Sequence, residues 1–232
     1  MILTREDCMV LMARYPNKHF DLAIVDPPYG IGEDWKKRNK GSKFADTSYK
    51  NERIPDRAYF TELFRVSKNQ IIWGYNYFTE ILGSTNYLIV WDKISSNNKV
   101  FHYSKCEIAY TSIHVPINIY SIRWDGYMMG RETGNKKIHP HQKPVQLYEN
   151  LLMDYAKSGD LILDTHLGSG SIGIACHNLG FDLTACEIDE TYFEKAKKRI
   201  QEHAAQRELI PIDEQMTRDK WPLLFSESED KC

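Results

Sequence analysis

Short apolar runs alternate with longer amphipathic stretches along most of this chain. The run Leu-Ala-Ile-Val at 22–25 has the length and composition of a buried strand. The stretch 144–157 opens with a proline and places apolar side chains at Val145, Leu147 and Leu151, a spacing typical of a helix packed on one face. Patterns of the first kind predict seven strands, at 22–26, 70–73, 87–91, 106–110, 118–124, 161–163 and 183–186. Patterns of the second kind predict helices at 6–14, 57–66, 144–157, 169–179 and 189–206.

This order of elements predicts an α/β fold. Strands that alternate with helices form a mostly parallel sheet with helices on both faces, and such sheets bind ligands beyond the carboxyl ends of their strands. We expect one domain over residues 1–210 and a polar tail over 211–232. Two long loop regions are expected, at about 31–55, which is polar and irregular, and at about 114–138, which includes the predicted strand at 118–124. Loops this long in a compact domain are usually functional or disordered.

The composition limits the classes of protein to which this chain can belong. The chain has 232 residues, of which 42% are hydrophobic, and its formal net charge is −2, so any affinity for nucleic acid must come from local basic patches. Its five cysteines are odd in number and form no C-x-x-C pair, which argues against a disulfide scaffold or a zinc site. No apolar run approaches the roughly 18 residues that span a membrane, and the first residues resemble no signal peptide. We therefore expect a cytoplasmic protein without metal.

The first candidate for chemistry is Asp26-Pro27-Pro28-Tyr29, directly after the strand at 22–26. Two consecutive prolines cannot continue a sheet ladder, and they restrict the residues before them. A stiff turn therefore presents Asp26 and Tyr29 at the carboxyl edge of the sheet. The structural alternative is a proline turn without a catalytic role.

The second candidate is the turn between the strand at 161–163 and the next helix. Gly168, Gly170 and Gly173 spell G-x-G-x-x-G, and Glu187 lies close to the acidic position of dinucleotide-binding proteins. A nicotinamide-dependent oxidoreductase therefore has to be weighed. However, Asp164 precedes the turn, and a carboxylate there would repel a pyrophosphate, whereas it would suit a cationic amino group.

The two motifs together resemble those of the amino-methyltransferases, which transfer a methyl group from S-adenosylmethionine (SAM) to an exocyclic nitrogen. The resemblance covers residues 4–201. Because D-P-P-Y precedes the glycine motif, the order is similar to that of the beta class of DNA adenine methyltransferases. The aspartate form of the motif leans towards adenine N6, and a serine form is usual for cytosine N4. The resemblance implies a Rossmann-like SAM-dependent methyltransferase fold with permuted motifs, in which the two motif strands lie side by side.

The same resemblance implies a set of site residues. For catalysis these are Asp26, Pro27, Pro28 and Tyr29. For the cofactor they are Asp7, Cys8, Asp26, Lys143, Asp164, Thr165, His166, Gly168, Ser169, Gly170, Ser171, Glu187 and Ile188. The family usually has proline and phenylalanine where this chain has Thr165 and His166, so His166 is either a cofactor contact or a packed histidine. Asp7 is alternatively a residue that starts a helix, Lys143 an exposed lysine, and Glu187 a solvated acid.

The resemblance also implies a mechanism. Asp26 and the Pro27 carbonyl would accept the two amine hydrogens of adenine, so that the nitrogen lone pair points at the sulfonium methyl group. Tyr29 would stack on the base, which must first be extruded from the duplex. Glu187 would accept hydrogen bonds from the ribose hydroxyls of SAM, and Lys143 would meet its carboxylate. The aromatic residues Trp73, Tyr75, Tyr77 and Phe78 are expected in the core or a subunit interface rather than against bases.

Two basic clusters are candidates for DNA contacts, in the two long loops. They comprise Lys36, Lys37, Arg38 and Lys40 in the first loop and Arg123, Arg131 and Lys136 in the second. A solvated loop is the alternative for the first cluster. Beyond DNA, a homodimer and a cognate restriction enzyme are open as partners. Methylation of cytosine N4 or of RNA, an oxidoreductase and an inactive DNA-binding module remain the alternative functions.

Overall fold

The structure is a computed structural model that describes residues 1–31, 54–93, 104–124, 129, 132 and 137–208. These residues form one mixed sheet of eight strands. The strands are β1 (Ile2–Thr4), β2 (Phe20–Val25), β3 (Ser67–Trp73), β4 (Leu88–Asp92), β5 (Cys106–Thr111), β6 (Asn118–Ser121), β7 (Leu161–Asp164) and β8 (Asp182–Cys186). The helices are α1 (Cys8–Ala13), α2 (Arg57–Val66), α3 (Thr79–Leu82), α4 (Val145–Tyr155), α5 (Ser171–Leu179) and α6 (Glu190–Glu208).

The sheet is mostly parallel, as the alternation of elements predicts. Its strand order is β1-β8-β7-β2-β3-β5-β4-β6. Only β5 runs against its neighbours β3 and β4, and the other described pairs are parallel. The predicted count of seven strands is wrong, because β1 adds an eighth. This edge strand has three residues, too few to show a period in the sequence.

Helices cover both faces of the sheet. On one face, apolar side chains of α4, α5 and α6, such as Leu151, Ile172 and Ala196, join a core with Leu22 and Ile24 of β2. On the other face, side chains of α1 and α2 pack with the alternate residues of that strand, Ala23 and Val25 among them. A strand buried on both faces reads as a continuous apolar run, which explains the 22–25 pattern.

The predicted helices are present, with small shifts at their ends. Helix α2 has the predicted bounds, and Asp56 caps it by accepting a hydrogen bond from the Tyr59 amide at 3.1 Å. Asp189 caps α6 as predicted, with its carboxylate 3.0 Å from the Tyr192 amide. Helix α5 begins two residues after the predicted start at 169, because Gly170, at φ +73°, is still in the turn. The predicted strand at 118–124 ends at Ser121.

Candidate active site

Strands β2 and β7 lie side by side in parallel register, with Leu22 opposite Ile162 and Ala23 opposite Leu163. Both run towards the same edge of the sheet, so Asp26, directly after β2, and Asp164, the last residue of β7, reach this edge together. The two sequence motifs, separated by well over a hundred residues, therefore meet in space. This is the arrangement that the resemblance predicts.

The carboxylate of Asp26 is held by two side chains. The Tyr29 hydroxyl donates a hydrogen bond to Oδ1, and the Lys143 ammonium donates one to Oδ2. Burial, followed by the charges of Asp26 and Glu107, raises the pKa of Tyr29 well above its ordinary value, so the phenol keeps the proton that it donates. Lys143 Nζ also lies 3.5 Å from the Tyr29 hydroxyl. Asp26, Tyr29 and Lys143 thus form one connected polar cluster.

Lys143 is almost completely buried, with a side-chain exposure of 3%. The alternative of an exposed lysine is therefore wrong. Burial alone would lower its pKa, but Asp26 and Glu107 outweigh this effect and raise it. The ammonium consequently stays charged. The predicted contact between Lys143 and the cofactor carboxylate stays a prediction, since the partners that the structure gives this lysine are Asp26, Tyr29 and Glu107.

Sequence reasoning missed Glu107 and Lys93 as members of the site. Glu107 Oε2 lies 3.1 Å from Lys143 Nζ, and its other oxygen accepts a hydrogen bond from Lys93 at 2.5 Å. Burial would raise the pKa of Glu107, but Lys143 and Lys93 lower it to about 2. The pattern at 106–110 predicted a strand but not its direction. An antiparallel β5 brings its first residues, not its last, to the catalytic edge.

The ring of Tyr29 is supported by the residues that follow β3. Tyr77 stacks on Tyr29 with ring centroids 4.9 Å apart and an interplanar angle of 11°. Phe78 meets the same ring edge-on at 6.0 Å. Gly74, at φ +78°, passes so close that a Cβ atom there would lie 2.1 Å from Tyr29 Cε1. Trp73 and Phe78 are buried, as expected, whereas Tyr77 is 42% exposed.

Glu187 braces the glycine turn. One oxygen accepts a hydrogen bond from the Gly168 amide at 2.9 Å, and the other accepts one from the Asp189 amide at 3.0 Å. Burial raises the pKa of Glu187, although these amides oppose the rise. The alternative of a solvated acid is therefore wrong, and the ribose contact stays a prediction. Ile188, which follows it, is exposed at the same edge.

Asp164 is buried beneath the turn and accepts a hydrogen bond from the His166 amide at 2.9 Å. Burial, with further contributions from the negative charges of Asp26 and Glu187, raises its pKa to about 8. A buried acid of this kind is stabilised in its ionised form by a nearby cation. Asp164 therefore suits the amino group that the resemblance assigns to it.

A buried hydrogen-bonded chain fixes the histidine that departs from the family pattern. The Tyr59 hydroxyl and the Thr165 hydroxyl lie 2.7 Å apart, and the Thr165 oxygen lies 2.9 Å from His166 Nδ1. The Tyr59 ring also meets the His166 ring edge-on at 5.5 Å. Burial lowers the pKa of His166 to about 4, so the ring is neutral at neutral pH. His166 is thus a satisfied, oriented histidine beside the turn, and its cofactor contact stays a prediction.

The two serines of the glycine turn bond inward. Their hydroxyl oxygens, on Ser169 and Ser171, lie 3.1 Å apart, and the Ser171 hydroxyl donates to the Lys143 carbonyl at 2.7 Å. Arg199 of α6 donates to the Ser169 carbonyl at 2.8 Å. These bonds tie the turn to the segment that carries Lys143. Gly170 remains between the serines as the last residue before α5.

Two of the three motif glycines are required for helix packing. A Cβ atom on Gly173 would lie 2.5 Å from Ile200 Cδ1 of α6, and one on Gly170 would lie 3.0 Å from the same atom. Gly168 instead adopts φ +52°, and the nearest atoms to a Cβ there would be those of His139 and His166, at 3.7 Å. Gly168 thus has a positive φ without a close packing partner, whereas Gly170 combines a φ of +73° with close packing.

Asp7 is the N-cap of α1, because its carboxylate accepts a hydrogen bond from the Met9 amide at 2.8 Å. The alternative of a helix-start residue is thus confirmed, and a cofactor contact by Asp7 and Cys8 stays a prediction. Burial, then the Asp7 charge, raises the pKa of Cys8 to about 12, so its thiol is not ionised at neutral pH.

Most of the predicted DNA contacts cannot be placed. Arg123 is half-buried just after β6. The other six lie outside the described residues: Lys36, Lys37, Arg38, Lys40, Arg131 and Lys136. The tail at 211–232 also lies outside them. Within the described ranges, no cluster of three or more His, Cys, Asp or Glu side chains has the arrangement of a metal site, and no helix is both long and apolar enough to cross a bilayer.

Comparisons of this chain with known proteins indicate one family. The N6/N4 methyltransferase family model, described as DNA methylase, matches residues 20–198. The Type II methyltransferase M.HpaI of Haemophilus parainfluenzae is 25% identical over 232 aligned positions, which cover 85% of this chain and 73% of that protein. The Type II methyltransferase M.HinfI of Haemophilus influenzae is 22% identical over 250 positions, covering 86% of this chain and 68% of that protein.

Solved structures show the same fold. The M1.HpyAVI–SAM complex superposes with a TM-score of 0.56 at 19% identity, over 85% of this chain and 98% of that one. The PvuII DNA methyltransferase, which is cytosine-N4-specific, gives a TM-score of 0.56 at 12% identity, over 88% of this chain and 91% of that one. The predicted methyltransferase fold is therefore confirmed.

Proposed function

Because this chain belongs to the N6/N4 DNA methylase family, we propose that it transfers a methyl group from SAM to the N6 amine of adenine in DNA. The observation that carries this proposal is the position of Asp26. Its carboxylate is held by Tyr29 and Lys143 at the end of β2, directly beside the glycine turn after β7. An acceptor for amine hydrogens and a turn suited to the cofactor therefore share one edge of the sheet.

The donor groups around the turn fit SAM better than a dinucleotide. Asp164 and Glu187 supply two carboxylates, for the amino group and the ribose hydroxyls respectively, and Asp164 in particular is a buried acid whose ionised form needs a cation. A pyrophosphate would be repelled by the ionised form of Asp164 and could not stabilise it. This argues against the oxidoreductase alternative. When bound, SAM supplies an electrophilic methyl group on a sulfonium.

The residues of this chain position the adenine amine relative to the methyl group of SAM. The adenine amine is a weak nucleophile, because its lone pair is delocalised into the ring. Asp26 and the Pro27 carbonyl accept its two hydrogens and turn the lone pair towards the methyl group, and they stabilise the positive charge that develops on the nitrogen. Tyr29 stacks on the extruded base with the face opposite Tyr77.

The aspartate in D-P-P-Y supports adenine as the target, whereas the fold does not distinguish the two bases, since the cytosine-N4-specific PvuII enzyme shares it. Purified protein should be incubated with methyl-labelled SAM and, in parallel, with unmethylated DNA or with RNA, and the digested nucleosides analysed by mass spectrometry. We expect N6-methyladenine. N4-methylcytosine would overturn the choice of base, and label on RNA alone would overturn the choice of substrate.

Two variants test the assignment of the site. Asp26→Ala should abolish transfer while the protein stays folded, because the amine then lacks its acceptor. Glu187→Gln should chiefly weaken SAM affinity, because its ribose contacts are similar in the ground and transition states. Binding should be measured by calorimetry with SAM and with NAD. Binding of NAD without SAM would overturn the proposed cofactor, and normal turnover of Asp26→Ala would overturn the catalytic assignment.

A further inference from the structure

Four side chains of alternating charge extend from the catalytic carboxylate across the edge of the sheet. Asp26 binds Lys143, Lys143 lies 3.1 Å from Glu107, and Glu107 binds Lys93 at 2.5 Å. We refer to these four residues as the charge row. Lys143 is its buried member, and Glu107 and Lys93 are 25% and 21% exposed. The row therefore leads from the site towards solvent.

The sheet topology explains why the row can form. Strand β5 runs antiparallel to β3 and β4, so Glu107, near the start of β5, lies at the edge where β2, β3 and β4 end. Lys93 directly follows β4 at this edge. Lys143 enters from the segment before α4. The consecutive strands β4 and β5 and the segment before α4 thus bring their charges together beside Asp26.

The charge of Lys143 has two opposing consequences for methyl transfer. Its hydrogen bond orients Asp26, which benefits the reaction. However, its positive charge lies beside the amine nitrogen that becomes positive as it takes the methyl group from the sulfonium. Like charges repel, and the repulsion between this cation and the developing positive charge is stronger at a partly buried site than in water. A negative charge on the far side of Lys143 would offset that repulsion without removing the hydrogen bond.

We propose that Glu107 is a positioning residue for methyl transfer, which holds the Lys143 ammonium in place and neutralises its charge at the target nitrogen. Glu107 does not contact the substrate in this role, because it acts through Lys143. The buried Lys143 ammonium then has two carboxylate partners: Asp26, which it orients, and Glu107, which balances its charge. The inference rests on the proposed methyl transfer and adds Glu107 to its machinery.

The test compares variants that change charge in opposite directions. Glu107→Gln keeps the size of the side chain and removes its negative charge, so kcat should fall by about 10- to 100-fold. The affinities for SAM and DNA should change by less than about threefold, because the lost interaction acts mainly in the transition state. Lys93→Gln removes a positive charge farther along the row, so it should raise kcat, by up to about threefold. Glu107→Asp keeps the charge and should restore most of the activity.

Controls separate this effect from a loss of structure. Glu62→Gln removes a carboxylate from the ion pair with Arg65 on α2, away from the site, and should leave kcat unchanged. Thermal unfolding of each variant identifies any that is unstable. Equal losses of kcat in Glu107→Gln and Lys93→Gln would show a structural role and overturn the inference, as would normal kcat in Glu107→Gln. Absence of methyl transfer by the unaltered protein would instead overturn the proposed function.

Discussion

The hydroxyl of Tyr29 donates a hydrogen bond to the carboxylate of Asp26, three residues before it in the same turn. The prolines between them fix this turn, so the motif supplies both the acceptor and the group that orients it. Tyr29 thus has a polar role in addition to the stacking expected of its ring. The two roles can be separated, because the hydroxyl can be removed without the ring.

Tyr29→Phe should lower kcat by about 10- to 100-fold, the loss expected for one hydrogen bond to a charged group. SAM affinity should be retained, since the ring remains in place. Steady-state methyl transfer and calorimetry check both expectations. Tyr75→Phe is the matched control, because its hydroxyl bonds the Gly83 carbonyl in an exposed position. Wild-type kcat in Tyr29→Phe would limit this tyrosine to stacking.

Gly74→Ala should also impair methyl transfer, for a steric reason. The new Cβ would lie 2.1 Å from Tyr29 Cε1, so the ring must move away from Asp26 and Tyr77. Gly180→Ala provides the control, because Gly180 has the same left-handed conformation, at φ +73° and ψ +32°, but no atom lies within 4 Å of the new Cβ. Both variants should lose about 1 kcal/mol of stability from backbone strain, and Gly74→Ala more because of the clash. Only Gly74→Ala should lose transfer, by more than about tenfold. Equal kcat in the two would refute the steric argument.

SAM binding should release a proton at pH 7. The pKa of Asp164 is raised to about 8, so this carboxyl is mostly protonated in the free protein, and a bound cationic amino group would favour its ionised form. The release should approach one proton at pH 7 and vanish at about pH 9. Calorimetry in buffers of different ionisation enthalpy measures it. Asp164→Asn should abolish the release, whereas Asp160→Asn, at the opposite end of β7, should not. An unchanged proton count in Asp164→Asn would exclude this residue as the source.

The folded protein should lose stability in mild acid. Burial lowers the pKa values of His139, His141 and His166, the last two to about 4. Between about pH 6.5 and 4 the unfolded chain therefore binds more protons at these sites, and stability falls with pH by up to about 1.4 kcal/mol per unit per histidine. Asp164 acts in the opposite sense over this range, because its raised pKa makes the folded state bind the extra proton.

Denaturant unfolding at pH 7.5, 6 and 5 measures this dependence. His166→Asn should reduce its slope by nearly one proton relative to the unaltered protein. A slope equal to that of the unaltered protein would mean that His166 does not carry the predicted shift.

DNA affinity should depend on the first basic loop, whose residues lie outside the described structure. Replacing Lys36, Lys37, Arg38 and Lys40 with alanine should weaken binding to all sequences and flatten the salt dependence by about 0.9 per lost phosphate contact. Alanine at the exposed Lys157, Lys195, Lys197 and Lys198 changes net charge equally and serves as control. An unaltered salt slope in the loop variant would move the DNA contact towards Arg123.

The sequence predicted those helices and strands whose bounds depend on their own residues. Helix α2 was predicted at its observed bounds, since its cap and its apolar spacing are both local. Strand β1 was missed, because three residues at an edge gain their structure from β8 rather than from their own pattern. The predicted bounds of the other elements differ from the observed ones by a few residues. Turns account for these differences, because a turn such as that at Gly170 shifts the residue at which a helix begins.

Within the site, the motifs predicted which residues take part, but not which side chains those residues contact. Lys143 was found through the family resemblance, yet its ion pairs join it to Asp26 and Glu107, which are distant from it in sequence. Glu107 carried no local signal, because its presence at the site depends on the direction of β5. Likewise, the chain Tyr59–Thr165–His166 joins α2 to the glycine turn by a contact that no spacing reveals.

The packing of Gly170 and Gly173 against Ile200 has a consequence for motif searches. Gly173 is required here by the close packing of α5 on α6, and Gly170 by that packing together with its φ of +73°. These requirements concern the backbone and the helix packing, and do not depend on which nucleotide the turn holds. The residue that separates the two cofactor classes is therefore Asp164, and not the glycines or Glu187, since dinucleotide-binding proteins have an acid close to the Glu187 position too.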